Sequence, residues 1–302
     1  MIKNHGIPNS LIDDLTNAGG EFFQLPDQEK QKINMSHSGL AWKGYFPVGQ
    51  ELTANIPDAK EGLYFGREEE ALYLGGKRVP MTGPNQFPDS VPQMKPLLLR
   101  YMIELEKLSQ DLMEAFATSL LNYKQKNFFQ RLFKDKPTVL FRIFNYKYEQ
   151  SAKWGVGEHS DYGFLTLLYQ DKTGGLEVKA LDNRWLEVEP VDGAFVVNIG
   201  DMMELWSGGR FIATPHRVKA PIKGVKRLSM PFFFDPAYDA VLGSIPFDQY
   251  SQKYQKVQLP KGYKRWDGIE FNEKKEFPFK TYGEFLWHKV SQVFPELAES
   301  QK

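Results

Sequence analysis

Apolar residues in the first third of the chain recur at three- and four-residue steps in two stretches. Leu11, Leu15, Ala18 and Phe22 follow Pro8-Asn9-Ser10, a helix-start signal ahead of one apolar stripe. Pro26-Asp27 opens a second short helix reaching residue 32. From residue 36 to 93 the pattern loses its period and fills with Gly and Pro, so loops and short strands are expected there. A stretch of that length usually serves as a lid or wall. Leu98, Tyr101, Leu105, Leu108, Leu112 and Phe116 then predict one long helix over residues 94–122, its apolar face against the core. Residues 127–133 add a short helix, closed by Pro137.

Past residue 137 the texture turns to short β-rich runs: 139–146, 164–169, 176–180, 185–188, 194–199, 217–220 and 227–234. Turns at Thr173-Gly-Gly175, Asp182-Asn183, Asp192-Gly193 and Ser207-Gly-Gly209 separate them. The expected fold is mainly β with flanking helices, a jelly roll with the long helix packed on one sheet. Residues 1–137 form the helical and loop region, 138–240 the core and 241–302 a C-terminal extension, within one integrated domain.

Composition narrows the chemistry. Lys plus Arg and Asp plus Glu both number 38, so no global field favours nucleic acid or anionic membranes. No cysteine is present among the 302 residues; a metal must be held by nitrogen and oxygen, with thiolate sites and disulfides excluded. No apolar run approaches the ~20 residues of a membrane helix, and the first residues carry no signal-peptide core. A cytoplasmic protein is expected, monomeric or paired through an exposed N-terminal edge.

Against that background, His159 and Asp161 in Glu158-His-Ser-Asp-Tyr162, with His216 in Thr214-Pro-His-Arg-Val218, stand out. Two imidazoles and one carboxylate make the facial triad of a non-haem iron(II) centre, which leaves positions open for a cosubstrate and dioxygen. On a strand, alternate side chains share a face, so His159 and Asp161 can meet one ion while Ser160 turns away. Farther on, Arg227-Leu-Ser229 opens a strand that reads as buried. A buried guanidinium requires an anion, and a carboxylate gripped by Arg227 and Ser229 satisfies it. Metal and clamp together suggest an oxygenase that consumes a 2-oxo acid. Asp201, in Asn-Ile-Gly-Asp, reads as a supporting hydrogen-bond partner.

These residues resemble the iron(II)/2-oxoglutarate-dependent dioxygenases of the isopenicillin N synthase-like type. The resemblance is carried by Arg142-Ile-Phe-Asn-Tyr146, Gly157-Glu-His-Ser-Asp-Tyr-Gly-Phe-Leu-Thr-Leu-Leu-Tyr-Gln-Asp171, Gly174-Gly-Leu-Glu-Val178, Val197-Asn-Ile-Gly-Asp201, His216-Arg-Val218 and Arg227-Leu-Ser229. It implies a distorted double-stranded β-helix with Fe(II) on His159, Asp161 and His216. It also implies 2-oxoglutarate and dioxygen as cosubstrates, with Arg227, Ser229 and Tyr146 around the distal carboxylate. The implied reaction oxidises an unactivated C–H bond of a small molecule and releases succinate and carbon dioxide. Tyr64, Trp154 and Phe234 are candidate substrate-pocket residues. Two alternatives stay open: an iron oxidase of this fold that does not use 2-oxoglutarate, and a non-catalytic metal-binding jelly roll.

The chain also starts almost on its Asn4-His-Gly-Ile7 motif, where the family places further residues upstream. The strand at that motif is therefore expected to be an edge, covered by residues 277–293 or by a contact between chains.

Overall fold

The computed structural model describes residues 1–53, 56–120, 131–133, 136–149, 152–242, 257–260 and 279–293. The N-terminal part contains α1 (Asn9–Gln24), α2 (Asp27–Gln31), a 3-10 helix (Met35–Ala41) and α3 (Met94–Leu120). Between the last two lie β1 (Gly44–Phe46), β2 (Leu52–Thr53), β3 (Ile56–Pro57), β4 (Lys60–Gly66), β5 (Tyr73–Leu74) and β6 (Lys77–Arg78). The remaining strands are β7 (Pro137–Tyr146), β8 (Trp154–His159), β9 (Leu165–Gln170), β10 (Leu176–Lys179), β11 (Trp185–Glu187), β12 (Val196–Ile199), β13 (His216–Lys219) and β14 (Arg227–Ala237). A short α4 (Asp201–Trp206) follows β12, and α5 (Tyr282–Val293) ends the described chain.

Two antiparallel sheets form the jelly roll. The larger has the order β1-β4-β7-β14-β9-β12 and the smaller β11-β10-β13-β8. Strict alternation in β7 and β14 sorts the larger sheet's two faces. Phe141 and Ile143, with Leu228, Met230, Phe232 and Phe234, point to the helix side, all in the main apolar cluster. Leu140, Arg142, Phe144 and Tyr146, with Arg227, Ser229, Pro231, Phe233 and Asp235, line a cavity between the sheets. On the helix side, α1 buries Leu11, Leu15, Ala18 and Phe22, and α3 buries Leu98, Tyr101 and Leu105. Gly19 lets α1 approach closely: a Cβ there would stand 3.1 Å from the Ile143 side chain.

Several expectations shift. The N-terminal region does more than pack on the core, since β1 and β4 are strands of the larger sheet and β4 pairs with β7 along its length. The helix expected over 127–133 falls largely outside the described residues, and so does the end of the one expected over 94–122. The turn after β12 continues into α4, whose six residues are too few to show a period. At the N-terminus, Ile2 exchanges both backbone hydrogen bonds with Phe195, at 2.9 and 3.0 Å. The His5 ring packs edge-on to Phe195 at 4.6 Å. The chain start thus extends the sheet just before β12. The C-terminal segment expected to cover this edge lies elsewhere: α5 packs toward β14 and contributes Phe285, Leu286 and Lys289 to the cavity wall.

Candidate metal and cosubstrate site

The cavity is about 1300 Å³ and holds all three triad residues. His159 ends β8 and His216 begins β13, and the two are direct cross-strand partners. Their ring centroids lie 4.2 Å apart. The ligand atoms of His159, Asp161 and His216 all fall within 4.8 Å of one another. Contrary to the strand reading, Asp161 is not on β8; it sits in the turn just beyond. Its place is set from the other sheet: Oδ2 accepts from Thr166 Oγ1 at 2.7 Å and from Asn198 Nδ2 at 2.6 Å. Oδ1 is left facing His216 Nε2 at 3.7 Å. Ser160 does turn away, donating to Asp201 Oδ1 at 2.6 Å.

Both histidines are oriented by backbone carbonyls. His159 Nδ1 donates to Gly157 O at 2.8 Å and His216 Nδ1 to Thr214 O at 3.0 Å. A carbonyl only accepts, so the proton sits on Nδ1 and each Nε2 presents a lone pair. Burial, reinforced by neighbouring His216, holds the His159 pKa down to about 4. For Asp161 burial favours protonation, but His216, His159 and the two hydrogen bonds outweigh it and keep the carboxyl below its ordinary value. Two imidazole nitrogens and one carboxylate thus face one point, a donor set that suits iron(II).

The second feature lies at the start of β14. Arg227 is 1% exposed. Its Nε donates to Gly174 O at 2.6 Å and its Nη2 to Gln170 Oε1 at 3.4 Å. Gly174 adopts φ +77, a backbone that favours glycine and turns this carbonyl into place. The guanidinium stacks 4.3 Å from the Tyr146 ring, and Tyr146 Oη shares a 3.2 Å hydrogen bond with Ser229 Oγ. Nη1 is buried without any partner, and Arg227 forms no ion pair among the described residues. An orphaned guanidinium N–H beside two hydroxyls fits the distal carboxylate of 2-oxoglutarate.

Of the pocket candidates, Tyr64 lines the cavity, whereas Trp154 and Phe234 do not. Phe234 lies on the helix side of β14, stacked on Phe133 at 5.0 Å; its neighbour Phe233 takes the wall position, one residue being enough to change face. Trp154 is turned outward by register irregularities in the β8–β13 pairing, which set it opposite Lys219. It stacks on Arg217 at 4.0 Å instead. Residues the sequence reading passed over include Thr166 and Asn198, which hold Asp161. It also missed the wall formed by Lys60, Glu51 and Arg142; Arg142 was visible only as part of a motif.

Comparison with known proteins agrees with this geometry. Residues 135–236 match the 2OG-Fe(II) oxygenase superfamily, and residues 1–90 match the N-terminal region described as non-haem dioxygenase in morphine synthesis. The chain is 38% identical to a "probable iron/ascorbate oxidoreductase" of Dictyostelium discoideum, over 98% of this chain and 85% of that protein. It is 33% identical to 1-aminocyclopropane-1-carboxylate oxidase of Dictyostelium mucoroides, over 98% and 86% respectively. Among solved structures it is similar to a full-length Neurospora crassa protein in complex with alpha-KG, with TM-score 0.71 and 25% identity, covering 96% of this chain and 85% of that one. A His-Asp-His triad inside a jelly roll, the family match and these relatives together show that the chain belongs to the 2OG-Fe(II) oxygenase superfamily, as an iron(II)- and 2-oxoglutarate-dependent dioxygenase of the isopenicillin N synthase-like type.

Proposed function

We propose a division of labour within the cavity of this dioxygenase. His159, Asp161 and His216 hold the iron, and Arg227, Ser229 and Tyr146 hold the distal carboxylate of 2-oxoglutarate. Iron and 2-oxoglutarate bound there supply dioxygen activation coupled to decarboxylation, giving succinate and carbon dioxide as a substrate C–H bond is oxidised. The protein's own part is geometric. Thr166 and Asn198 fix which Asp161 oxygen faces the metal, the two carbonyls fix both imidazole tautomers, and the apolar wall of Leu168, Val196, Val218 and Phe233 excludes water.

The observation that carries this reading is the orphaned Arg227 Nη1 in the same cavity as the triad. A cavity of about 1300 Å³ has room for cosubstrate and a small molecule together. Relatives named 1-aminocyclopropane-1-carboxylate oxidase and homoarginine-6-hydroxylase support a substrate of that size. The proposal also takes the enzyme to be cytoplasmic, a monomer and without nucleic-acid partners; balanced charge supports the last point. Among the described residues no helix is long and apolar enough to cross a membrane.

The test is an anaerobic titration with iron and 2-oxoglutarate, followed by a metabolite screen for compounds that accelerate succinate release. Dioxygen uptake and succinate should rise together. Uptake without succinate would instead assign the iron-oxidase chemistry and release Arg227 from the cosubstrate role.

A further inference from the structure

The Lys and Arg side chains on the cavity wall are Lys60, Arg142, Arg227 and Lys289. Two of them are paired. Lys60 Nζ lies 2.7 Å from Glu51 Oε2 and 2.5 Å from Asp58 Oδ2, and Lys289 Nζ lies 3.4 Å from Asp201 Oδ2. The two arginines form no ion pair with any described carboxylate. A buried guanidinium without a counter-ion is costly to keep. Arg227 is accounted for by the cosubstrate. Arg142 is not.

Arg142 is 7% exposed. Its Nη1 donates to the carbonyls of Phe65 at 3.4 Å and Phe141 at 3.2 Å. The guanidinium carbon lies 3.5 Å from the Tyr64 ring centroid and 5.7 Å from that of Phe233. Two aromatic neighbours and two carbonyls thus hold the group in place before any ligand arrives. Glu51 contributes to the electrostatics around Arg142, but both its oxygens are engaged. Oε1 accepts from the Tyr64 hydroxyl at 2.6 Å, and Oε2 faces Lys60.

Sheet register gives Arg142's position relative to the reacting centre. It is opposite Tyr64 on β4 and sits between the Ser229–Phe144 and Phe232–Phe141 pairings with β14. Ser229 marks the level of the carboxylate clamp. Phe233 faces Thr166, whose hydroxyl holds Asp161, and so marks the level of the metal. Arg142 therefore stands between those two levels, two strands to the side of β9, or roughly 10 Å away. On β7 only Tyr146, at the level of Arg227, is assigned to the cosubstrate, and no residue at the level of Arg142 is assigned to metal or cosubstrate.

We propose that Arg142, laid on the Tyr64 ring, is the specificity-determining residue that binds a carboxylate of the substrate, and that the substrate is a small organic acid, amino acids included, oxidised several bonds from that carboxylate. The inference rests on the oxygenase reading above and names its substrate class. It treats the cavity as having two unpaired arginines for two carboxylates, one from each reactant.

The test uses the full chain loaded with iron(II) and saturating 2-oxoglutarate under nitrogen, so that the Arg227 site is already filled. Hexanoate, cyclohexanecarboxylate, L-leucine and L-homoarginine are each titrated beside the matching primary amide. Binding is read from the change in the iron–2-oxoglutarate charge-transfer absorption. At least one acid should bind about tenfold or more tighter than its amide, the difference expected of a charge-assisted pair. Arg142→Gln should abolish that preference while leaving 2-oxoglutarate affinity unchanged, and Arg142→Lys should keep part of it. Amides that match or exceed their acids in the wild-type protein overturn the proposal, as does a full acid preference in Arg142→Gln. If the glutamine variant does not fold, a lysine variant that binds acids as the wild type does overturns it equally. Failure to form the absorption band, with no succinate made from 2-oxoglutarate, would defeat the oxygenase reading instead.

Discussion

The two sheets that enclose the cavity are held together in opposite ways. The larger is covered on both sides: α1 and α3 pack on one face, the other lines the cavity, and every residue of β4 is buried. The smaller has only a small apolar cluster inside, Val156, Leu176 and Val218 with Tyr146. Its outer face is stabilised by charge and aromatic stacking. Arg217 lies between Trp154 at 4.0 Å and Trp185 at 3.7 Å, and its Nε donates to Glu177 at 2.7 Å. Yet the smaller sheet carries both triad histidines, while the larger carries Arg227 and fixes Asp161. Stability is thus concentrated in one sheet, and the metal's imidazoles are mounted on the other.

That contrast predicts a separation of activity from stability, and the most severe test is His216→Ala. It removes a metal ligand from the thin sheet, so turnover should fall by more than the roughly tenfold to hundredfold typical of losing an outer-shell partner. Melting of the metal-free protein should barely move. A large drop in melting temperature would show that the smaller sheet contributes more stability than its small cluster suggests.

Truncation on either sheet gives the next comparison, followed by urea unfolding. Phe234→Ala, in the doubly covered sheet, should cost about 3–5 kcal/mol. Trp154→Ala, which loses a partly exposed stack on Arg217, should cost about 1 kcal/mol. Equal losses would erase the distinction between the sheets.

Arg227→Lys probes the larger sheet's contribution to chemistry. An ammonium cannot reproduce the planar grip, so the 2-oxoglutarate requirement should rise roughly tenfold to a hundredfold. Iron affinity, set mainly across the cavity, should stay level in a direct metal titration.

The remaining expected effect is a pH dependence centred on Asp235. Burial, against the opposing hydrogen bond from the Phe164 N–H, pushes this carboxyl up to about 7. With the folded-state value above the unfolded one, its contribution to stability is complete below about pH 4 and is lost as pH rises through 7. Asp235→Asn keeps an acceptor for Phe164 N–H, which lies 2.7 Å from Asp235 Oδ1, and removes the titration. The variant should therefore gain on the wild type by about 1–3 kcal/mol between pH 5 and pH 8. A constant difference in melting temperature across that range would place the titration elsewhere.

Beyond residue 137 strand runs were legible in both sheets, β10, β11 and β13 as closely as β9, and alternation along β7 and β14 is unbroken; β1 and β4 of the larger sheet lay in a stretch without a period. β7, β9 and β14 begin and end within a few residues of the expected bounds. The same regularity assigns Phe233 rather than Phe234 to the cavity wall, so that correction was available from period two alone. Trp154 is a different case. Continuing the alternation from Val156 turns it inward, and only the irregular β8–β13 register turns it out. Asp161 was identified correctly as a member of the triad although it leaves the strand, since residue type and spacing carried the chemistry without the backbone geometry.

By itself the sequence determined the donor set: two histidines and an aspartate in the right order, no cysteine to compete, and an arginine–serine pair downstream. Side-chain chemistry is a local property and survives any error about where a strand ends. Tertiary structure decided which charges have partners. Lys60 and Arg142 both lie on strands of one sheet, but the hairpin of β2 and β3 delivers Glu51 and Asp58 to the lysine and leaves the arginine without a carboxylate. Pairing depends on where distant segments meet in space. It also sets the free energy of each buried charge, and so marks which one is left for a ligand.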